Sequence, residues 1–202
     1  MLMFEKVKTL LEKEAAAIAN IPATGEFAKA VNLIHQQVHG RNGKLICSGM
    51  GKAGQIANNI ATTFSSTGTP SDFLHPADAQ HGDLGVLQKN DLLLFVSNSG
   101  KTREILELYS LSQRLFKLPV ILITGNPDGE LVGHADAVLY TGNPDEVCPL
   151  GLTPTTSTTA MTVIGDILVV MMMEKIGFTA DDYAKRHHGG YLGHKSRNSI
   201  RS

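Results

Sequence analysis

The sequence predicts an α/β fold, a doubly wound parallel sheet flanked by helices, in a chain of 202 residues. Three observations predict it. Five short apolar runs recur along the chain, each bounded by glycine, proline or polar residues, as buried parallel strands are. Stretches with apolar residues at helical spacing lie between them. The loops that leave the apolar runs are rich in glycine and hydroxyl side chains, where open α/β sheets bind ligands.

Taken in order, Phe4, Val7, Leu10, Leu11, Ala15 and Ile18 place a helix over 3–20 that ends near Pro22. A second helix is expected over about 25–38, closed by Gly40. The strands are KLICS at 44–48, SDFLH at 71–75, DLLLFVS at 91–97, VILIT at 120–124 and AVLY at 137–140. Helices over 52–67, 101–116 and 128–134 alternate with them, which implies βαβ units. One long helix follows from 154 to about 176, then a short one near 180–185. HHGGYLGHK leads into a basic, polar tail at 196–202, expected to be disordered. No repeat or low-complexity linker divides the chain. A single domain is therefore expected, with N-terminal helices over 1–40 and an α/β core over 44–195.

Composition narrows the function classes. Hydrophobic residues make up 42% and charged residues 18%, with a net charge of −1, so neither nucleic acid nor an anionic membrane is expected as partner. Cys47 and Cys148 sit far apart in apolar runs and form no CxxC pair, which predicts buried, inert thiols in a reducing compartment. The N-terminus carries charge throughout. The apolar stretch 160–173 is interrupted by Asp166 and is shorter than a bilayer span. A soluble, cytoplasmic protein is expected.

Three loops carry the candidate chemistry. SGMGKAG at 48–54 matches GxGxxG after a strand. A dinucleotide site would also want an acid at the end of the second strand, and His75-Pro76 stand there instead. A Walker A loop lacks its first glycine. SNSGKT at 97–102 offers the hydroxyls of Ser97, Ser99 and Thr102 and the Asn98 amide at a helix start, a cup for phosphate. A plain N-cap would need only one hydroxyl. CPLGLTPTTSTT at 148–159 could hold sugar hydroxyls, or equally serve as a hydroxyl-rich cap.

The strings GMGKAG, TFSSTGTPSDFLHPADAQHGDLG, SNSGKTREI, EVCPLGLTPTTSTTA and GFTADDYAKRHHGGYLGHK resemble the sugar isomerase (SIS) domain family, and within it the arabinose 5-phosphate isomerases. The likeness runs from about 44 to 195. It implies a flavodoxin-like sheet, a tetramer, and interconversion of arabinose 5-phosphate and ribulose 5-phosphate for octulosonate and lipopolysaccharide synthesis. It implies Lys52, Glu104, Glu146 and His187 as the catalytic set. Ser48, Gly49, Gly68, Thr69, His75 and His81, with Ser97, Asn98, Ser99 and Thr102, would face substrate. Departures are Ala53 in place of a serine and His188 in place of a proline, which leaves either histidine as the active one. Many members continue into a pair of CBS modules, whereas this sequence ends, so a form without them is expected.

The chemistry implied suits these groups. The furanose must open before isomerisation, a task for histidine. A carboxylate then moves a proton from C2 to C1 through an enediol, a role for which Glu146 and Glu104 compete, Glu146 being preferred. Lys52 would stabilise developing oxyanion charge. No cofactor or metal is required. His75 and His81, with His187 or Cys148, would bind zinc only as an adventitious inhibitor. His35, His39 and His134 are read as background. Two N-terminal helices and an apolar 160–173 exceed what the sheet must cover, so a homo-oligomer is expected. Two readings of regulation stay open: feedback by the pathway's activated nucleotide sugar at the same pocket, reaching toward His75, His81 or the HHGG turn of a neighbouring subunit, and no direct regulation beyond control of expression. The alternatives are an isomerase of another phosphosugar and a non-catalytic sugar-phosphate sensor. A sensor needs none of the four catalytic groups.

Overall fold

A computed structural model describes residues 3–189 and 191, and the expected polar tail at 196–202 lies outside them. Helix α1 (Met3–Ala19) and helix α2 (Glu26–Ile34) precede the sheet, and α2 continues as a π-helical turn over His35–His39. The sheet is β1 (Leu45–Gly49), β2 (Ser71–Phe73), β3 (Leu92–Val96), β4 (Val120–Thr124) and β5 (Ala137–Tyr140). Every strand pair is parallel and the order is β2-β1-β3-β4-β5. This is the flavodoxin-like order. Its topological switch lies between β1 and β3, so the crevice opens at their carboxyl ends.

Side chains alternate between the two faces. Leu92, Leu94 and Val96 join one core with Leu45, Cys47, Ile121 and Ile123, covered by α2, α3 (Gly51–Ser66) and the long α6 (Thr156–Ile176). Leu93, Phe95, Ile46 and Leu122 join the other, covered by α5 (Arg103–Leu115), the one-turn α4 (Pro76–Ala79) and 3-10 turns at Asp83–Val86 and Glu130–His134. Strands buried on both faces read as unbroken apolar runs, which is why the sequence shows them. Helices α3 and α6 run side by side. A Cβ on Gly165 would come within 2.5 Å of Ile60, so this contact needs glycine.

Helix α6 spans 21 residues and is long and apolar enough to cross a bilayer, against the shorter 160–173 stretch expected. Half of it is buried inside the protein, as a core helix is. It ends at Gly177, whose φ of 62° is the left-handed cap. Phe178 follows, and then α7 (Ala180–Arg186) with a Thr179–Asp182 capping box. The run over 128–134 is a 3-10 turn rather than an α-helix.

Candidate active site

Three helix starts meet at the switch point. A cavity of about 350 Å³ lies between the α3 start, the 97–102 loop and the first turns of α6. Lys52 contributes the only charged side chain among the described residues that line it. Ser97, Asn98, Ser99 and Thr102 line one side, Ser157 and Thr158 the other.

The 97–102 loop is built outward from β4. The Asn98 carbonyl accepts from Gly125 N–H at 3.1 Å and from Thr124 Oγ1 at 3.1 Å, and the Ser99 carbonyl accepts from Asn126 Nδ2 at 2.8 Å. In a trans peptide the N–H opposes the carbonyl, so the Ser99 amide is turned away from β4, to the cavity side. Gly100 makes the turn at φ 61°, where a Cβ would meet the Gly129 Cα at 2.9 Å. Thr102 occupies the N-cap position of α5 yet caps no amide; its hydroxyl bonds Ser97 Oγ at 2.9 Å. The first amides of α5 therefore stay open. Open amides, three hydroxyls and a lysine in the same cavity lining are an arrangement suited to holding an anion.

Glu146 sits in the loop between β5 and α6 with both oxygens engaged. Oε2 accepts from Thr155 N–H at 2.6 Å, Thr155 Oγ1 at 2.8 Å and Ser157 N–H at 3.3 Å, and Oε1 accepts from Ser157 Oγ. Burial pushes its pKa up, but the hydrogen bonds from Ser157 and Thr155 outweigh it and hold the carboxyl below its usual range. Glu146 thus caps α6 from outside the helix. Of the two readings left open for 148–159, the hydroxyls of Thr155 and Ser157 serve this cap. Glu104, in the first turn of α5, does not line the cavity and has no hydrogen-bond or ion-pair partner among the described residues.

The remaining predicted residues are placed elsewhere. Ser48 is fully buried and donates to the Leu74 carbonyl at 2.6 Å, and so does not line the cavity. Gly49 packs tightly beneath the α3 turn, where a Cβ would meet Ala53 O at 2.7 Å. His75 lines a separate cavity of about 260 Å³ on the other side of the α3 start, with its Nδ1 3.7 Å from Asp78. His81 is exposed beyond α4.

Gly68 and Thr69 lie at the opposite end of the sheet from the cavity, because α3 runs back along the strands before reaching them. Thr69 is buried and its hydroxyl bonds His39 Nε2 at 3.1 Å, while Gly68 abuts the Phe178 ring. His187 belongs to the same end. Arg186 lies 5.4 Å over the Phe178 ring, and α6, about 30 Å long at 21 residues, separates this end from the cavity. His187 stacks on Tyr183 at 3.7 Å and its Nδ1 lies 3.0 Å from the Tyr183 carbonyl, while His188 is exposed. A carbonyl only accepts, so Nδ1 carries a proton and Nε2 is the ring nitrogen left for another partner. Within one chain the predicted set is split in two.

Cys47 is buried, and desolvation pushes its thiol up. Cys148 departs from the expected inert thiol. It is partly exposed, and the Thr153 hydroxyl and amide with the Leu150 and Leu152 amides lower its pKa to about 6. The folded protein is expected to take one iodoacetamide adduct, at Cys148, with half-maximal rate near pH 6. Intact-mass measurement of two adducts, or of none, would contradict this. Sequence reasoning also passed over Met161, which lines the cavity. Its helical spacing from Ser157 and Thr158 was the available signal.

Comparisons with known proteins agree with this architecture. The chain is 43% identical over 185 residues to arabinose 5-phosphate isomerase KdsD of Yersinia pestis, which covers 92% of this chain and 55% of the relative. The chain thus spans about half the length of the curated relatives it matches. A solved structure of a proposed phosphosugar isomerase involved in capsule formation from Bacteroides fragilis NCTC 9343 is 64% identical with a TM-score of 0.92, covering 94% of this chain and 99% of that one. Escherichia coli CFT073 c3406, solved in complex with arabinose 5-phosphate, is 33% identical with a TM-score of 0.84, covering 92% and 97%. The SIS domain model matches residues 37–171. The chain belongs to the SIS domain family.

Proposed function

We propose that this chain is an aldose–ketose isomerase that interconverts arabinose 5-phosphate and ribulose 5-phosphate. The observation that carries the reading is that the cup at 97–102 and Lys52 line one cavity sized for a pentose phosphate. Similarity to KdsD proteins, and to a structure holding arabinose 5-phosphate, supports the same substrate. The phosphate sits in the cup, which leaves the carbon chain toward Lys52 and α6. Lys52 steadies the enediolate oxygen.

Glu104 is the base in this reading, although in the free chain it does not line the cavity and must turn toward the bound substrate to act. Glu146 holds its helix with every oxygen donor-bound and its basicity lowered, whereas Glu104 is unencumbered. The base takes the C2 proton, and the C–H electrons form the C1–C2 double bond as the carbonyl π electrons move to O1. The O2 proton passes to O1, and the O2 electrons re-form a carbonyl at C2 as the base delivers a proton to C1. Ring opening falls to His187 of a second copy, because His187 of the same chain stands a helix length away. Exposed apolar residues of α1 (Met3, Phe4 and Leu11) and Val170 of α6 supply the surface for that assembly, which we read as a tetramer. The second cavity beside His75 gives an activated nucleotide sugar room for its base, and such a product would compete at the cup.

Incubating the purified chain with arabinose 5-phosphate and a panel of other phosphosugars tests the function. Ribulose 5-phosphate from arabinose 5-phosphate, faster than any other conversion, is expected. Preference for a hexose or heptose phosphate would move the reading to another phosphosugar, and no turnover at all to a sensor. Ser99→Ala removes one phosphate contact and is expected to raise KM about tenfold, about 1.4 kcal/mol of binding. Unchanged KM in that variant would remove the cup from the site.

A further inference from the structure

The least exposed positions of α1 fall on one line, Leu10, Glu14 and Ala17. Its neighbours on that line are apolar, and the pattern asks for an apolar residue at 14. The Glu14 carboxylate turns inward instead. Its Oε1 accepts from Thr156 Oγ1 at 3.0 Å, and its Oε2 is buried with no hydrogen-bond partner among the described residues. A half-satisfied buried carboxylate costs stability that a leucine there would not. The feature calls for a task other than holding α1 in place.

The hydrogen bonds of Thr156 show that task. Its Oγ1 accepts from Val147 N–H at 3.2 Å, so its single proton goes to Glu14. Val147 follows Glu146 directly. Thr155 and Ser157, on either side of Thr156, hold the Glu146 carboxylate. Two carboxylates therefore hold the first turn of α6, Glu14 at Thr156 and Glu146 at Thr155 and Ser157, and Ser157 also lines the cavity.

We propose that Glu14 is a positioning residue for the active site, fixing the 146–147 peptide through the Thr156 hydroxyl and thereby the cavity wall that α6 presents. The claim of a catalytic effect rests on the isomerase reading above; the relay itself does not. Without Glu14 the Thr156 hydroxyl turns to another acceptor, and the peptide that carries Glu146 loses its anchor. Helix α1, which otherwise exposes both charged and apolar residues, then bears on catalysis through one side chain.

Glu14→Leu fills the same line without an acceptor, and Glu14→Gln keeps an acceptor oxygen for Thr156. Glu14→Leu is expected to keep or raise Tm while hydrogen exchange over 144–149 speeds up about tenfold or more. Its kcat on arabinose 5-phosphate is expected to fall about tenfold or more with KM within about twofold, as misplacement remote from the chemistry does. Glu14→Gln is expected to restore both exchange and kcat. Wild-type exchange in Glu14→Leu, or equal damage in Glu14→Gln, would overturn the proposal. Should the wild-type chain turn over no arabinose 5-phosphate, the isomerase reading falls and the exchange comparison alone decides the relay.

Discussion

Replacing Glu104 by glutamine is expected to lower kcat on arabinose 5-phosphate by about a thousandfold while leaving KM near its wild-type value, the scale of a lost general base. Glutamine keeps the shape of the side chain and removes only its capacity to take a proton. Glu104 has no hydrogen bond or ion pair with the cup at 97–102 or with Lys52, so binding is expected to survive. Glu146→Gln should behave differently. An amide in that place turns an NH2 toward donors at Thr155 and Ser157, so one or two of the four cap bonds are lost. Loosening of the α6 start is expected, with loss of about 1–3 kcal/mol in stability and a smaller fall in kcat. Acid should reproduce this. The folded pKa of Glu146 lies below its ordinary 4.5, so its stabilisation is present above that value and is lost as pH falls through the lower folded value. If Glu146→Gln abolishes turnover and Glu104→Gln does not, the two roles are reversed.

A second large effect is expected from mixing inactive variants. Lys52→Ala lacks a cavity residue and His187→Ala lacks the residue at the far end of α6, and each alone should be nearly inactive. If each site joins the cavity of one copy to the His187 of another, co-refolded mixtures contain intact sites. Random pairing in equal mixtures gives about a quarter of the wild-type activity, with a ceiling set by the symmetry of the assembly. No recovery, in mixtures shown by light scattering to be assembled, would mean that both residues serve a site within one chain. A monomer at micromolar concentration would end the shared-site reading outright.

Most of the fold was legible because its strands are buried on both faces. Runs such as Leu92–Val96 and 120–123 are apolar throughout and flanked by proline or polar residues, which no surface strand would be. The pieces over 76–79 and 83–86 were not legible, since four residues carry too little periodicity to show. The place of the 97–102 loop at a helix start beside the cavity was legible from its hydroxyls and glycine. What the sequence left hidden was how each hydroxyl is used: Ser48 points to Leu74 O, Thr102 to Ser97, and Ser157 to Glu146. Direction depends on tertiary contacts, and a string of serines and threonines does not encode it. Gly68, Thr69 and His187 also read as members of one pocket. Linear motifs contain no information about which end of a 21-residue helix a residue occupies in space, and the structure puts these three at the far end. Glu14 was passed over because a lone acid in a charged helix looks solvated until its burial is seen.

Proton exchange at C2 tests the isomerase account most directly. Arabinose 5-phosphate incubated with the chain in deuterium oxide and followed by proton NMR should lose its C2 proton signal as one deuterium enters from solvent. Unphosphorylated arabinose should not exchange under the same conditions, because it cannot engage the cup at 97–102, and Glu104→Gln should abolish the exchange. Arabinose 5-phosphate that keeps its C2 proton while the wild-type protein binds it would contradict the proposed enediol chemistry and leave a phosphosugar-binding protein in its place.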